Sequence, residues 1–146
     1  MKRTLEMKGN KMTEWTNEAI LEWHKQTFPN ATLETQLRKV EDELREMDEA
    51  ARAFLEDETK LQDAIDETAD VWISAVVLRE RFESYIGSMI LHVILDLLNG
   101  SGFDEDLCEL CVENVKFAVN AKMDKNVKRE WKETTPGYYQ HKETVQ

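Results

Sequence analysis

Apolar residues recur at helical spacing along a long uninterrupted stretch of this chain, Leu33 to Leu55. They are three or four residues apart, at Leu37, Val40, Leu44, Met47, Ala51 and Phe54. This spacing places them on one side of an α-helix and is typical of a helix that packs against a neighbour. Because only five Gly and two Pro occur among 146 residues, few breaks separate such segments. We therefore predict an all-α fold, a four-to-five-helix bundle.

Capping and breaking residues predict where the helices begin and end. The predicted helices run from Thr13 to about Thr27, from Leu33 to Leu55, from a Thr59–Gln62 capping box to a break at Gly87, over Met89–Leu98, and from Asp104 to Pro136 after an Asn99–Gly102 loop. Residues 1–12 lack periodicity and are predicted to form a flexible arm. Residues 13–135 are predicted to form one domain, and 136–146 a C-terminal tail.

The segment Met89–Leu98 is apolar on most sides. A helix of this kind is buried all round, either in a core or at a subunit interface. Within it, His92 is predicted to be a core histidine with a hydrogen-bonding neighbour. In a chain of this length we expect the interface, so the protein is predicted to be oligomeric.

Two pairs of carboxylates hold equivalent places on the second and third predicted helices. Glu43 and Glu46 are three residues apart, as are Glu67 and Asp70, so each pair projects from one helix face. If the helices pack against each other, the four carboxylates lie close together. Their repulsion then favours a bound cation, and a hard divalent ion such as Mg²⁺ prefers oxygen ligands. A solvated acidic face is the alternative for either pair alone.

These residues carry a family resemblance. Asp42-Glu43-x-x-Glu46 followed by Glu67-x-x-Asp70 resembles the EExxE and ExxD signature of the MazG-like, all-α nucleoside triphosphate pyrophosphohydrolases, with Asp42 replacing the first Glu. The resemblance extends from about Trp15 to His141. Near its end it includes the family's K-x3-N-x2-R-x-W segment, matched by Lys122, Asn126, Arg129 and Trp131.

The resemblance implies an enzyme that hydrolyses a nucleoside triphosphate to the monophosphate and pyrophosphate. It implies Mg²⁺, which Mn²⁺ can replace, held by Glu43, Glu46, Glu67 and Asp70. It also implies a homodimer or homotetramer. The segments Phe28–Thr32 and Gly137–His141 are similar to those of phage and bacterial members that act on purine deoxynucleotides such as dGTP or dATP; a pyrimidine deoxynucleotide is the alternative.

Substrate binding is predicted for five further residues. Lys122, Asn126 and Arg129 are spaced to share one face near the end of the last helix, where they can bind phosphates. Cations also stabilise a helix C-terminus without any ligand, so both roles stay open. Trp15 and Trp131, together with Trp23, are candidates to stack on a base, although tryptophans at helical spacing also serve as core residues.

Composition limits the other classes. The formal net charge of -11 argues against nucleic acid or an anionic membrane as partner. No apolar run has the length of a signal peptide or a membrane span, so we expect a cytoplasmic protein. Cys108 and Cys111 are predicted to lie on a buried helical stripe. A ferritin-like di-iron site would need Glu-x-x-His, which neither acidic pair has, whereas a non-catalytic helical adaptor or metal-binding protein is a remaining alternative.

Overall fold

The computed structural model describes residues 3–7, 10–98 and 105–142, with side chains described for 14–98 and 112–142. The elements, in chain order, are β1 (Arg3–Met7), β2 (Asn10–Glu14), α1 (Asn17–Thr27), α2 (Leu33–Glu56), α3 (Leu61–Phe82), α4 (Tyr85–Leu98), α5 (Glu105–Asn126), β3 (Trp131–Thr135) and β4 (Tyr138–His141). A 3-10 turn, Glu58–Lys60, joins α2 to α3. The protein is mostly helical, which confirms the predicted class.

Helix α3 occupies the centre of the fold and contacts α1, α2, α4 and α5. Its residues from Ile73 to Leu78 are all buried, which a helix achieves only when neighbours cover every side. Val76 belongs to a core cluster that also includes Ile20 from α1, Leu91 from α4 and Met123 from α5. In the described part of the chain, no helix is both long and apolar enough to cross a membrane.

The entry to α2 follows the sequence prediction, whereas the entry to α1 does not. Thr32 accepts a hydrogen bond from the backbone N–H of Thr35 and caps α2, as predicted. Helix α1 is capped by Thr16 rather than Thr13, which lies in β2. The Thr59–Gln62 capping box is also wrong, because Thr59 lies in the 3-10 turn and donates its hydroxyl to Asp57 instead.

The break between α3 and α4 occurs before Gly87, not at it. Glu83 adopts a left-handed conformation, with φ of 53°, and ends α3. Gly87 lies in the first turn of α4, where a Cβ atom would come 2.7 Å from the carbonyl oxygen of Ala75 and from the backbone nitrogen of Arg79. The glycine therefore allows α4 to pack closely on α3, rather than breaking a helix.

Only one face of α4 is buried within the chain. Leu91 and Ile94 face the core, while Met89, Val93 and Leu97 are 64%, 55% and 64% exposed. Among the described residues, α3 and α5 cover one side of α4, so burial all round does not occur within one chain. The other side is the one for which a subunit interface is predicted. His92 is exposed, which corrects its predicted place in the core.

The last helix is shorter than predicted. It ends at Asn126 instead of Pro136, and the following residues form the antiparallel hairpin of β3 and β4. Gly137 makes the turn with φ of 80°, a conformation that favours glycine. The predicted tail from residue 136 thus contributes a strand to the fold, and β4 contacts α2.

The predicted flexible arm, 1–12, contains regular structure. β1 and β2 pair antiparallel, with Leu5 opposite Met12. The predicted loop at 99–102 lies outside the described residues. So do the side chains of Cys108 and Cys111, of which only the helical backbone is described.

Candidate functional site

A cavity of about 370 Å³ lies between α2, α3, α5 and the β3–β4 hairpin. Eight of the nine predicted site residues line it, namely Glu43, Glu46, Glu67, Asp70, Lys122, Asn126, Arg129 and Trp131. The exception is Trp15, which is buried in the core. Its backbone N–H donates to Asn120 and its indole N–H to Asp124, at 2.8 and 2.9 Å. Trp15 is thus a structural residue in this fold, not part of the cavity.

Three carboxylates from α2 and α3 converge at one end of the cavity. Glu43, Glu46 and Glu67 each present an oxygen within 4.8 Å of the others. With a usual Mg–O distance of about 2.1 Å, adjacent oxygens around an octahedral Mg²⁺ are about 3.0 Å apart and opposite oxygens about 4.2 Å. The three side chains would therefore have to move closer together to share one ion.

The hydrogen bonding of these carboxylates also fits a cation. Oε2 of Glu43 and Oε2 of Glu67 are buried, and neither accepts a hydrogen bond from any described residue. An unsatisfied buried carboxylate oxygen is costly. A metal ion would supply the missing partner for both oxygens, so the residues present fit the group that the sequence predicts.

The cavity holds the carboxylates in an unfavourable electrostatic state. Burial raises the pKa of Glu43, and the charge of Lys39 acts in the opposite direction. Burial, together with the charges of Asp70 and Glu46, raises the pKa of Glu67 to about 7. Because a carboxylate with such a pKa is only partly ionised at neutral pH, the site gains from any cation that binds there.

Asp70, the fourth predicted ligand, lies apart from this group of three. Its Oδ2 accepts a hydrogen bond from Lys122 of α5 at 3.2 Å. Burial raises the pKa of Asp70, and Lys122 partly offsets that effect. Across the cavity, Lys39 of α2 makes the equivalent ion pair with Oε1 of Glu43 at 3.1 Å. Two ammonium groups therefore flank the carboxylates.

Asp42 has a different partner from the other acidic residues. The hydroxyl of Tyr138 in β4 donates to Asp42 Oδ2, and burial together with this bond raises the pKa of Tyr138. The guanidinium of Arg38 lies 4.0 Å from the centre of the Tyr138 ring. Asp42 thus attaches the hairpin to α2 and does not belong to the group of three carboxylates.

Aromatic rings form the other end of the cavity. Phe28 packs against Trp23, Trp131 and Tyr139, with ring centres 5.2, 5.0 and 4.9 Å away. Trp131 also packs edge-on against His141 at 5.7 Å. Such a wall offers apolar faces to a planar ligand. Trp131 is therefore placed as its sequence prediction requires, on β3 rather than on a helix.

Asn126 and Arg129 lie between the two ends of the cavity. Arg129 follows the last turn of α5 and is not on its helical face, which corrects the predicted arrangement. Its Nη1 donates to the side-chain oxygen of Asn126 at 3.1 Å. Its Nε is buried and has no hydrogen-bond partner among the described residues, so one donor of the guanidinium is available to a ligand.

Lys39, Tyr138 and His24 are among the cavity residues that were not predicted. Lys39 could have been found from its position one turn before Glu43. Tyr138 could not, because its contact with Asp42 spans 96 residues. His24 is buried and its pKa is lowered to about 3 by burial and by Arg81, whose Nη1 lies 2.8 Å from His24 Nδ1.

Comparisons with protein-family models, with curated proteins and with solved structures find no match to this chain. The family resemblance of the sequence motifs therefore stays a prediction. The chemistry of the cavity therefore rests on its own residues.

Proposed function

We propose that the protein is a Mg²⁺-dependent, MazG-like pyrophosphohydrolase that converts a nucleoside triphosphate to its monophosphate and pyrophosphate. The observation that carries the proposal is the combination of three converging carboxylates with two flanking lysines in one cavity. Carboxylates that share a site with anionic phosphates need a metal between them, and the lysines suit the phosphates themselves.

The order of groups along the cavity supports a nucleotide as the substrate. The carboxylate end suits the reacting phosphates, and the aromatic end suits the base. Lys122 pairs with Asp70, and one turn later the carbonyl of Asn126 accepts a hydrogen bond from Trp131 of the aromatic end. Lys122, Asn126 and Arg129 all line the cavity, where their donors would be offered to the phosphates. A purine deoxynucleotide such as dGTP or dATP is proposed from the sequence resemblance.

The residues of the chain have separable roles in this reaction. Glu43, Glu46 and Glu67 would hold Mg²⁺, which supplies charge stabilisation and a more acidic attacking water. Asp70 would hold the ammonium group of Lys122 where it can contact the phosphates. A carboxylate that the metal does not saturate would accept a proton from the attacking water. The aromatic wall orients the base.

We further propose a homodimer or homotetramer that covers the exposed face of α4. Met89, Val93 and Leu97 are one turn apart and more than half exposed, and Tyr85 at the start of the same helix is 86% exposed. Apolar patches of this kind on a soluble chain mark interaction surfaces. A symmetric contact between two copies is the simplest way to bury such a face.

A panel of nucleotides incubated with Mg²⁺, with the products identified by ³¹P NMR, tests the proposed reaction. We expect a monophosphate and pyrophosphate as the only products, with deoxypurine nucleotides as the better substrates. Release of orthophosphate and a diphosphate would overturn the reaction. A preference for pyrimidine deoxynucleotides would overturn only the base assignment.

A further inference from the structure

Lys39 and Arg45 are the two cations of α2 that line the cavity, and Lys39 is the one that pairs with a carboxylate of the proposed metal site. It stands one turn before Glu43, and its ammonium group is 3.1 Å from Oε1 of that residue. The side chain is one-third exposed and lines the cavity. It is not among the residues that the sequence motifs assign to substrate.

The ammonium group of Lys39 has hydrogen-bonding capacity to spare. It carries three N–H donors, and in the described part of the chain its only polar partner is Glu43. The charge of Lys39 also lowers the pKa of Asp70 on α3 and of His24 on α1. Lys39 therefore acts on groups on both sides of the cavity as well as on its own helix.

A role limited to helix stability explains Lys39 poorly. Pairs of Glu and Lys four residues apart stabilise a helix by about 0.2–0.5 kcal/mol, and the order with Lys first is the weaker one. Lys39 precedes Glu43, so the helix gains little from this pair. The pair does, however, hold an ammonium group beside a carboxylate whose other oxygen is buried and has no hydrogen-bond partner.

We infer that Lys39 binds a phosphate oxygen of the polyphosphate ligand, held in place by Oε1 of Glu43, opposite Lys122. This inference rests on the proposed function and deepens it, because it gives Glu43 two roles. Its carboxylate would position Lys39 and would also bind the metal. Lys39 and Lys122 then approach the phosphates from α2 and α5. A divalent ion bound at the carboxylates weakens the attraction of Glu43 for Lys39 and leaves the ammonium group more available to the ligand.

Calorimetric titration with inorganic pyrophosphate at saturating Mg²⁺ tests this role without any hydrolysis. We expect Lys39→Met to weaken pyrophosphate binding about tenfold or more, as is typical when a charged hydrogen bond is lost. Lys39→Arg keeps the charge and should recover part of the affinity. The control is Lys116→Met, because Lys116 also forms an ion pair within its own helix, with Glu113 on α5, but that pair is exposed and lies outside the cavity lining.

Two further measurements separate phosphate binding from a structural role. Lys39→Gln retains a donor for Glu43 and loses only the charge, so weaker pyrophosphate binding by this variant with an unchanged melting temperature supports the inference. Mg²⁺ alone should bind Lys39→Met and Lys39→Gln at least as tightly as it binds the wild type. If Mg²⁺ affinity falls as much as pyrophosphate affinity, Lys39 acts only through Glu43 and the inference is overturned.

The outcome can be separated from that of the proposed function. If the wild type produces monophosphate and pyrophosphate while Lys39→Met binds pyrophosphate with wild-type affinity, the inference fails and the enzyme assignment stands. If the wild type neither hydrolyses nucleotides nor binds pyrophosphate with Mg²⁺, both fail together.

Discussion

At the cavity, one carboxylate oxygen of Glu43 and one of Glu67 are buried without a hydrogen-bond partner among the described residues. On the outer face of α4, in contrast, the apolar side chains of Met89, Val93 and Leu97 are exposed to solvent. Both arrangements are unfavourable for a chain on its own. Burial penalises a carboxylate without a hydrogen-bonding partner, and water penalises a continuous apolar face.

The two regions differ in the kind of partner that would remove the penalty. A carboxylate cluster is stabilised by a cation, and the spacing of the three carboxylates suits a small hard one. An apolar helix face is stabilised by another apolar surface, and charge has no part in it. Buried carboxylate oxygens and exposed apolar side chains both depart from the usual burial pattern, and each departure indicates the kind of partner that its surface binds. The two regions can be tested separately.

The largest expected effect is on catalysis, from Glu67→Gln. Removing one carboxylate should lower kcat/KM for nucleotide hydrolysis by about a hundredfold or more, since residues that only orient metal ligands already contribute about 10- to 100-fold. The same change should stabilise the metal-free protein at pH 8. The pKa of Glu67 in the folded protein, about 7, lies above the ordinary 4.5. The ionised Glu67 carboxylate therefore destabilises the folded protein increasingly as the pH rises from 4.5 to 7, and fully above pH 7.

Melting curves of metal-free Glu67→Gln and wild type at pH 8 and pH 4 check the stability effect. The difference should be present at pH 8 and vanish at pH 4, where Glu67 is protonated in both folded and unfolded chains. A variant that is inactive and also less stable at pH 8 would contradict the account, because Glu67 would then take part in a structural ion pair.

The outer face of α4 is tested by placing charge within it. Val93→Glu should convert the oligomer to a monomer of 17.1 kDa, since a carboxylate at the centre of an apolar interface is strongly unfavourable. Light scattering at micromolar concentration measures the mass. Asp96→Lys is the control, because Asp96 is an exposed polar residue of the same helix. A monomeric wild type would show that this face has no partner copy.

His24 sharpens the comparison, because it is a buried polar group whose partners belong to the chain. Its folded-state pKa of about 3 lies below the ordinary 6.5, so its contribution to stability is present above pH 6.5 and is lost as the pH falls towards 3. Between pH 6.5 and 4.5 this amounts to about 2 kcal/mol.

Denaturant unfolding of wild type and His24→Gln over that pH range checks the effect. The variant should lose less stability on acidification than the wild type does, because glutamine does not titrate. Equal losses in the two proteins would assign the acid sensitivity to other groups.

The smallest expected effect is that of Arg129→Ala, about tenfold in kcat/KM, as expected for the loss of one charged hydrogen bond to phosphate. Lys125→Ala and Lys128→Ala are the controls, because both side chains are exposed and neither lines the cavity. Equal effects of all three substitutions on kcat/KM would mean that bulk positive charge, and not Arg129 itself, matters at this end of the molecule.

Much of the fold could be predicted because helical spacing reports directly on which residues share a face. The same spacing brought Glu43 and Glu67 together, since each directly precedes a residue of the predicted seam on its helix, Leu44 in α2 and Thr68 in α3. Asp70 was placed in the right cavity but next to Lys122, a partner 52 residues away that no local pattern indicates.

The errors have a common physical origin. The β3 segment was taken for the end of the last helix because lysines and arginines suit a helix C-terminus, and β4 was taken for a tail. The contact of Tyr138 with Asp42 that fixes the hairpin is distant in sequence. In α4, His92 was placed in the core because its neighbours are apolar, although composition alone does not tell which side of a helix is covered. Trp15 was assigned to a ligand because its contacts with Asn120 and Asp124 are equally distant in sequence.

A calorimetric titration of metal-free protein with Mg²⁺ at pH 8, and with Mn²⁺ in parallel, tests the central claim most directly. The claim is that Glu43 and Glu46 of α2 and Glu67 of α3 form a divalent-cation site. We expect saturable binding by the wild type and a loss of at least tenfold in affinity for Glu67→Gln, in line with the contribution of a metal-site residue. No saturable binding by the wild type, or equal binding by the two proteins, would contradict the claim.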